Sequence, residues 1–153
     1  MIYLLDTDTL IFMVRGLKLA TPKNALQRER QELAKRIVGR CRRAQEAGND
    51  VGLSAITVSE LEYGARNSGD YPAEIAAVRK ILTPFAAYDF DATGCAEHYG
   101  EVRHTLETAG VTLGAMDLLI AAHAKALGAT LVTNNLKHLA RVTGLTCENW
   151  SKA

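Results

Sequence analysis

The sequence lacks the features that mark several special classes of protein. It has no apolar run near the roughly 20 residues that a membrane-spanning helix needs. Its 153 residues include only three prolines and three cysteines, and Cys41, Cys95 and Cys147 form no CxxC pair of the kind used for zinc or redox chemistry. The opening MIYLLDTD has acids where a signal peptide has basic residues. These absences predict a cytoplasmic protein with reduced thiols and no membrane segment.

The composition is that of one globular domain. Apolar residues make up 48% of the chain, charged residues 23% and aromatic residues 6%, which excludes a mainly disordered or fibrous protein. A chain of this length buries one good hydrophobic core. We therefore expect residues 1–153 to form a single domain.

Charge is balanced over the whole chain but not along it. The formal net charge is +1, yet residues 15–50 contain ten basic and four acidic residues. A basic segment beside an acidic remainder indicates a polyanionic partner next to a site built from carboxylates. A solvated helix face would give the same pattern, so both interpretations stay open.

Apolar periodicity predicts strands that alternate with helices. Short apolar runs predict strands at residues 2–5, 51–53, 85–88, 130–132 and 145–147. Helical spacing and stop signals predict helices at residues 22–47, 57–66, 72–82, 95–109 and 115–127. This alternation predicts an α/β fold, a three-layer sandwich with a central, mostly parallel sheet.

Acidic and amide side chains follow the predicted strands. Asp6 directly follows the first strand, Glu60 lies early in the helix after the second, and Asp117 begins a later helix. Asn134 and Asn135 come just after the strand at residues 130–132. Ligands of parallel sheets bind beyond the carboxyl ends of the strands, so we expect these oxygens to meet at one rim. Oxygen ligands without a Cys or His cluster favour Mg²⁺ or Mn²⁺.

Each acid also has a purely structural interpretation. Asp6 or Asp8 could cap the first helix. Residues 57–60 fit a capping box, in which Glu60 would only bond the amide at the start of its helix. Asp117 could complement the positive end of a helix. The residues alone leave the metal site and these alternatives open.

Four segments of the sequence resemble the motifs of a known protein family. They are MIYLLDTDTLIF, LSAITVSELEYGA, GAMDLLIAAHA, and LVTNNLKHLARVTGL followed by ENW. In this order they resemble the motifs of the PIN-domain ribonucleases, and among these the VapC toxins of bacterial toxin–antitoxin pairs. The resemblance implies that Asp6, Glu60 and Asp117 are the catalytic acids and metal ligands and that Asn135 is a fourth catalytic residue. It also implies that four neighbouring residues could contact the substrate or support these side chains: Thr7, Asp8, Thr133 and Asn134.

The sequence departs from the family pattern in two places. Many PIN domains carry a fourth acid after the final strand, whereas this chain has Thr133, Asn134 and Asn135. The Asn135 oxygen can hold a metal or water but adds no charge, so one of two metal positions is expected to bind weakly. Residues 16–48 are also longer and more basic than the family suggests, and three of their arginines are candidate RNA contacts: Arg36, Arg40 and Arg43.

The resemblance implies a complete activity. The protein would be a Mg²⁺- or Mn²⁺-dependent endoribonuclease that hydrolyses RNA with a metal-activated water and leaves a 5′-phosphate and a 3′-hydroxyl. It would act as a toxin, form a homodimer and bind a small VapB-like antitoxin. No histidine is required as a base, so His123 is expected to be an ordinary helix residue and His138 a surface residue.

Two other functions fit part of the sequence. A haloacid-dehalogenase-like phosphatase would use Asp6 as its nucleophile and Asp8 to protonate the leaving group. A non-catalytic RNA-binding module would use the basic segment and not the acids.

Overall fold

The computed structural model describes residues 1–152, which form a layered α/β structure. Five strands and seven helices lie within these residues, in the order β1 (Ile2–Leu5), α1 (Thr7–Leu17), α2 (Ala25–Glu46), β2 (Asp50–Ser54), α3 (Ala55–Asn67), α4 (Tyr71–Leu82), β3 (Ala86–Tyr88), α5 (Gly94–Thr108), α6 (Ala115–Leu127), β4 (Thr130–Val132), α7 (Leu136–Leu139) and β5 (Thr146–Glu148). The strands form one sheet in the order β3-β2-β1-β4-β5, and all four pairings are parallel.

The sheet separates two apolar cores. Leu4 and Leu5 of β1 are both fully buried, and because neighbouring strand residues face opposite sides, each enters a different core. Helices α1 to α4 pack on the Leu5 side, and helices α5 to α7 pack on the Leu4 side. Both faces of the sheet are therefore covered, which confirms the predicted three-layer sandwich.

Helices α2 and α3 start at other residues than the sequence predicted, because capping side chains determine where each helix begins. Asn24 caps α2 by accepting a hydrogen bond from the amide of Gln27 at 2.9 Å, so this helix starts after the predicted residue 22. Ser54 caps α3 in the same way through the amide of Ile56, at 3.0 Å, so α3 starts two residues before the predicted position. Helix α7 was not predicted, because its four residues are too few to show a period.

Two further findings concern the thiols and the helices. All three cysteines lie within residues 1–152 and are free. Burial raises the pKa of Cys41 to about 12 and that of Cys147 to about 11, which keeps both thiols protonated.

In the described chain, none of the helices combines the length and apolar character that crossing a membrane requires.

The topology brings several helix starts to one edge of the sheet. Helix α1 begins two residues after β1 ends, and α3 begins immediately after β2. The amide of Asp6 donates to the carbonyl of Val132 at 2.9 Å, which ties the end of β1 to the end of β4. Side chains at the starts of α1 and α3 therefore lie near the residues that follow β4.

Helices α1 and α2 approach each other closely at Gly16. A Cβ atom added there would lie 2.7 Å from the carbonyl oxygen of Arg30 and would overlap the methyl group of Ala34. We therefore expect Gly16→Ala to force the helices apart and to lower the free energy of unfolding by about 1–3 kcal/mol, measured by urea or thermal denaturation.

Gly100→Ala provides the matched control, because a Cβ at that position in α5 would meet no atom within 4 Å. This variant should be neutral or slightly more stable, since alanine favours helix over glycine. If Gly16→Ala melted at the wild-type temperature, the close approach of α1 and α2 would not be a constraint on the fold.

Candidate active site

An acidic groove lies where the starts of α1, α3 and α6 meet. It has a cavity volume of about 360 Å³, and its lining includes Thr7, Asp8, Glu60, Met116, Asp117 and Ile120. Three of these residues are carboxylates, and no lysine, arginine or histidine from the described residues lines the groove. The arrangement is therefore strongly anionic and suited to a cation.

Asp6 begins α1 next to the groove-lining residues Thr7 and Asp8. Its side chain is buried, and Oδ1 accepts a hydrogen bond from the amide of Thr9 at 2.7 Å. Asp6, and not Asp8, is thus the N-cap of this helix. Burial raises the pKa of Asp6, while hydrogen bonds from Thr133 and Thr9 oppose that rise. The carboxylate of Asp6 therefore has a structural role as a helix cap beside the groove.

Glu60 reaches the groove from α3. Because this helix starts at Ala55, Thr57 is inside it and is not its N-cap. The Thr57 hydroxyl instead lies 2.9 Å from the hydroxyl of Thr7, in a hydrogen bond between α3 and α1. The capping-box interpretation of residues 57–60 is therefore wrong, and Glu60 lines the groove together with Asp8 and Asp117.

Asp117 lies in the first turn of α6, where a carboxylate also complements the helix dipole. Its Oδ2 atom accepts a hydrogen bond from Nδ2 of Asn135 at 3.2 Å. Burial raises the pKa of Asp117 and the charge of Asp8 raises it further, while the Asn135 bond and the charge of His138 oppose the rise. Asp117 is thus a carboxylate whose charge is only partly compensated.

The groove fits a hard divalent cation that takes only some of its ligands from the protein and the rest from water or substrate. In residues 1–152, no three Asp, Glu, His or Cys side chains are grouped so that they could hold a metal ion by themselves. Glu60 and Asp117 share the groove with Asp8, whereas Asp6 is buried as a cap. Mg²⁺ commonly uses one or two carboxylates and completes its shell with water and substrate phosphate. The all-oxygen donor set of the groove matches this preference.

One buried and one half-buried contact hold the helices that form the groove. Nδ1 of His123, on α6, lies 2.7 Å from Oγ of Ser54, the residue that caps α3. The contact between Thr7 and Thr57 joins α3 to α1. Burial lowers the pKa of His123, which favours the neutral ring. Sequence reasoning missed these roles for Ser54, Thr57 and His123; a serine at the end of an apolar strand was the one available signal for a cap.

The residues after β4 are held by the chain around them. Oγ1 of Thr133 accepts from the amide of Asn135 at 2.9 Å, and Oδ1 of Asn134 accepts from the hydroxyl of Ser151 at 2.8 Å. Oδ1 of Asn135 lies 2.7 Å from Nδ1 of His138. Asn134 thus faces the C-terminal segment, while Asn135 faces Asp117.

Two of the three candidate RNA-binding arginines contact the C-terminal segment. Nη1 of Arg36 donates to the carbonyl of Ser151 at 2.9 Å, and the guanidinium of Arg40 lies 5.5 Å from the centre of the Trp150 ring. Arg43, also on α2, is exposed. Arg36 and Arg40 therefore have a structural role whether or not they meet RNA.

Comparison with protein families finds one match over nearly the whole chain. The model of the PIN domain matches residues 3–145. Ribonuclease VapC2 of Rickettsia felis is 34% identical over 152 residues, which cover 99% of this chain and 100% of that protein. The tRNA(fMet)-specific endonuclease VapC of Shigella flexneri is 32% identical, with 97% of this chain and 98% of that protein covered.

Solved structures give the same result. The structure of VapBC2 from Rickettsia felis bound to a promoter DNA fragment contains a chain that matches with a TM-score of 0.82 and 31% identity, covering 98% of this chain and 99% of that one. VapBC-1 from nontypeable Haemophilus influenzae matches with a TM-score of 0.76 and 29% identity, covering 99% and 100%. These matches confirm the resemblance to the PIN-domain ribonucleases and decide against the phosphatase alternative.

The charge of Asp117, which is only partly compensated, leads to a prediction about stability in the absence of metal. Because the folded-state pKa lies above the unfolded one, this carboxyl favours folding at low pH, and the contribution is lost as pH rises from the unfolded pKa through the raised folded one. At neutral pH in EDTA, Asp117→Asn should therefore melt at a higher temperature than wild type in calorimetry.

Added Mg²⁺ or Mn²⁺ should raise the melting temperature of the wild type more than that of Asp117→Asn. Glu97→Gln is the matched control, because Glu97 is an exposed acid in the first turn of α5 and lies outside the groove. An Asp117→Asn variant that is clearly less stable than wild type in EDTA would make Asp117 a helix-start residue and would remove it from the metal site.

Proposed function

Since this chain belongs to the PIN domain family, we propose that it is a divalent-metal-dependent endoribonuclease that acts as the toxin of a toxin–antitoxin pair. The relatives that match nearly its full length are named ribonucleases or, in two cases, tRNA(fMet)-specific endonucleases. The observation that carries the proposal is the acidic groove, in which Asp8, Glu60 and Asp117 lie together without a basic residue.

Asp6, Glu60 and Asp117 are the residues proposed to hold the ion directly or through water, since no three carboxylates of residues 1–152 are grouped to bind it by themselves. Asp8 also lines the groove. Ionised carboxylates only accept hydrogen bonds, so the groove alone repels an RNA phosphate. A bound Mg²⁺ or Mn²⁺ ion would supply the missing positive charge and a more acidic water for hydrolysis. Glu60 from α3 and Asp117 from α6 both line the groove, and its volume of about 360 Å³ leaves room for a phosphodiester.

The partners follow from the relatives and from charge. The matched structures from Rickettsia felis and Haemophilus influenzae are VapBC complexes, and we propose that this chain likewise binds a small VapB-like antitoxin. A basic side chain of such a partner would complement the carboxylates of the groove. We further propose a homodimer and the cytoplasm, where RNA is encountered, as the place of action.

The direct test of the function is cleavage by a variant that keeps the fold. Asparagine caps helices about as well as aspartate, so Asp6→Asn should retain the α1 cap and the melting temperature while losing a charge at the site. RNA cleavage should fall by roughly 100- to 1,000-fold, the order found when one charge-stabilising group is removed from an active site. Purified protein, Mg²⁺ or EDTA, and sequencing of the RNA ends provide the measurement.

The expected products carry a 5′-phosphate and a 3′-hydroxyl and form only with the divalent ion. Glu97→Gln serves again as the control outside the groove. RNA that is bound but never cut by the wild type would favour the non-catalytic RNA-binding module. Cleavage that survives in EDTA and in Asp6→Asn would show that the groove is not the active site.

The basic segment makes a separate prediction about RNA affinity. A protein cation that binds an RNA phosphate releases counterions, so neutralising Arg36, Arg40 and Arg43 together should reduce the salt dependence of binding. The slope of log affinity against log salt should fall by about 0.7 for each phosphate of single-stranded RNA that these arginines bind in the wild type. Fluorescence anisotropy of the Asp6→Asn protein with and without the three substitutions measures the slope.

Arg103→Gln is the matched control, because Arg103 is exposed on α5 and pairs with Glu107. Melting curves separate the structural role of Arg36 and Arg40 from RNA binding, since removing their interactions with the C-terminal segment lowers stability without changing the salt slope. A triple variant with the wild-type slope would assign these arginines to the antitoxin or to the C-terminal segment alone.

A further inference from the structure

We propose that Asn135 and His138 form a positioning relay for Asp117: the Asn135 amide holds the groove carboxylate, and His138 fixes the amide from the solvent side. The inference rests on the proposed function for the role of Asp117 in cleavage. In this role Asn135 orients a carboxylate of the groove and does not itself bind the metal.

Hydrogen-bond chemistry fixes the direction of the relay. The ionised carboxylate of Asp117 can only accept, so the group of Asn135 that lies 3.2 Å from it must be the amide NH₂. The amide oxygen therefore points away from Asp117 and lies 2.7 Å from Nδ1 of His138. A carbonyl oxygen can only accept, so Nδ1 of His138 must carry the proton.

The local fold holds both residues in place. Oγ1 of Thr133 accepts from the amide of Asn135 at 2.9 Å, which fixes the backbone just before α7. Leu139 is fully buried in the core on the α5–α7 side and anchors the short helix that carries His138. Exposure increases outward along the relay, from half-buried Asp117 and Asn135 to exposed His138. A change at His138 can therefore act on the groove with little effect on the core.

The relay gives Asn135 a different task from the one suggested by its place in the sequence. The amide oxygen at this position stood as a candidate to hold metal or water. In the structure that oxygen is engaged by His138, and the amide nitrogen faces the groove. Asn135 thus limits the rotation of the Asp117 carboxylate, and His138 limits the rotation of the Asn135 amide.

The first test is the tautomer of His138 in the metal-free protein. Long-range ¹H–¹⁵N NMR of the neutral ring should show the proton on Nδ1, because the bond made by a ring nitrogen determines where the proton resides. Asn135→Ala should abolish that preference. His104 is the internal control, because it is exposed on α5, remote from Asn135 in the chain, and should not respond to Asn135→Ala. A neutral His138 with its proton on Nε2 in the wild type would overturn the relay.

The second test measures affinity for Mn²⁺ alone by calorimetry. Partners that orient metal ligands typically contribute about 10- to 100-fold in metal affinity, so Asn135→Ala and His138→Phe should each weaken Mn²⁺ binding by at least about 10-fold. His138→Gln keeps an N–H donor and should recover most of the loss, whereas His104→Phe should bind as the wild type does.

The two tests separate failure of the relay from failure of the proposed function. Wild-type affinity in His138→Phe, or equal losses in His138→Phe and His138→Gln, would overturn the relay while leaving the metal site intact. A wild-type protein that binds no Mn²⁺ would contradict the proposed function, and the tautomer of His138 would still decide whether the relay exists.

Discussion

Three carboxylates, those of Asp8, Glu60 and Asp117, share one groove whose described lining contains no basic side chain, and the packing around them has to offset their repulsion. Burial raises the pKa of Asp6 and of Asp117, which shows that the folded chain holds both in places that disfavour their charge. The hydrogen bonds that oppose this effect come from neutral groups. Such a site opposes folding through its charge, and the proposed cation would offset that effect.

The rest of the fold supplies the rigidity that this site requires. A parallel sheet covered on both faces buries all of β4 and four of the five residues of β2, and the helices that follow β1 and β2 start almost at once. Neutral polar contacts then set the positions of the helix starts: Thr7 with Thr57 joins α1 to α3, and Ser54 with His123 joins α3 to α6. The acids are therefore brought together by elements that are stabilised elsewhere, in the two apolar cores.

The sequence predicted the layers well because both faces of the sheet are buried, and buried strands appear as short apolar runs such as residues 2–5 and 130–132. It was less informative about helix starts, since Ser54 and Thr57 both fit a cap and only contacts with distant residues distinguish them. The same limit applies to Asp6 and Asp8. The orientation of Asn135 depends on Asp117 and His138 together, and no local pattern contains that information.

The central claim is that a divalent ion binds between α1, α3 and α6, and paramagnetic broadening by Mn²⁺ tests it most directly. Substoichiometric Mn²⁺ added to ¹⁵N-labelled protein broadens the amide signals nearest the bound ion. If the ion binds in the groove, the signals of its lining residues should broaden first, and Asp117→Asn should weaken the effect; these residues are Thr7, Asp8, Glu60 and Asp117. Broadening that begins instead near exposed acids such as Glu97 and Glu101 on α5, or that is uniform over the chain, would contradict it.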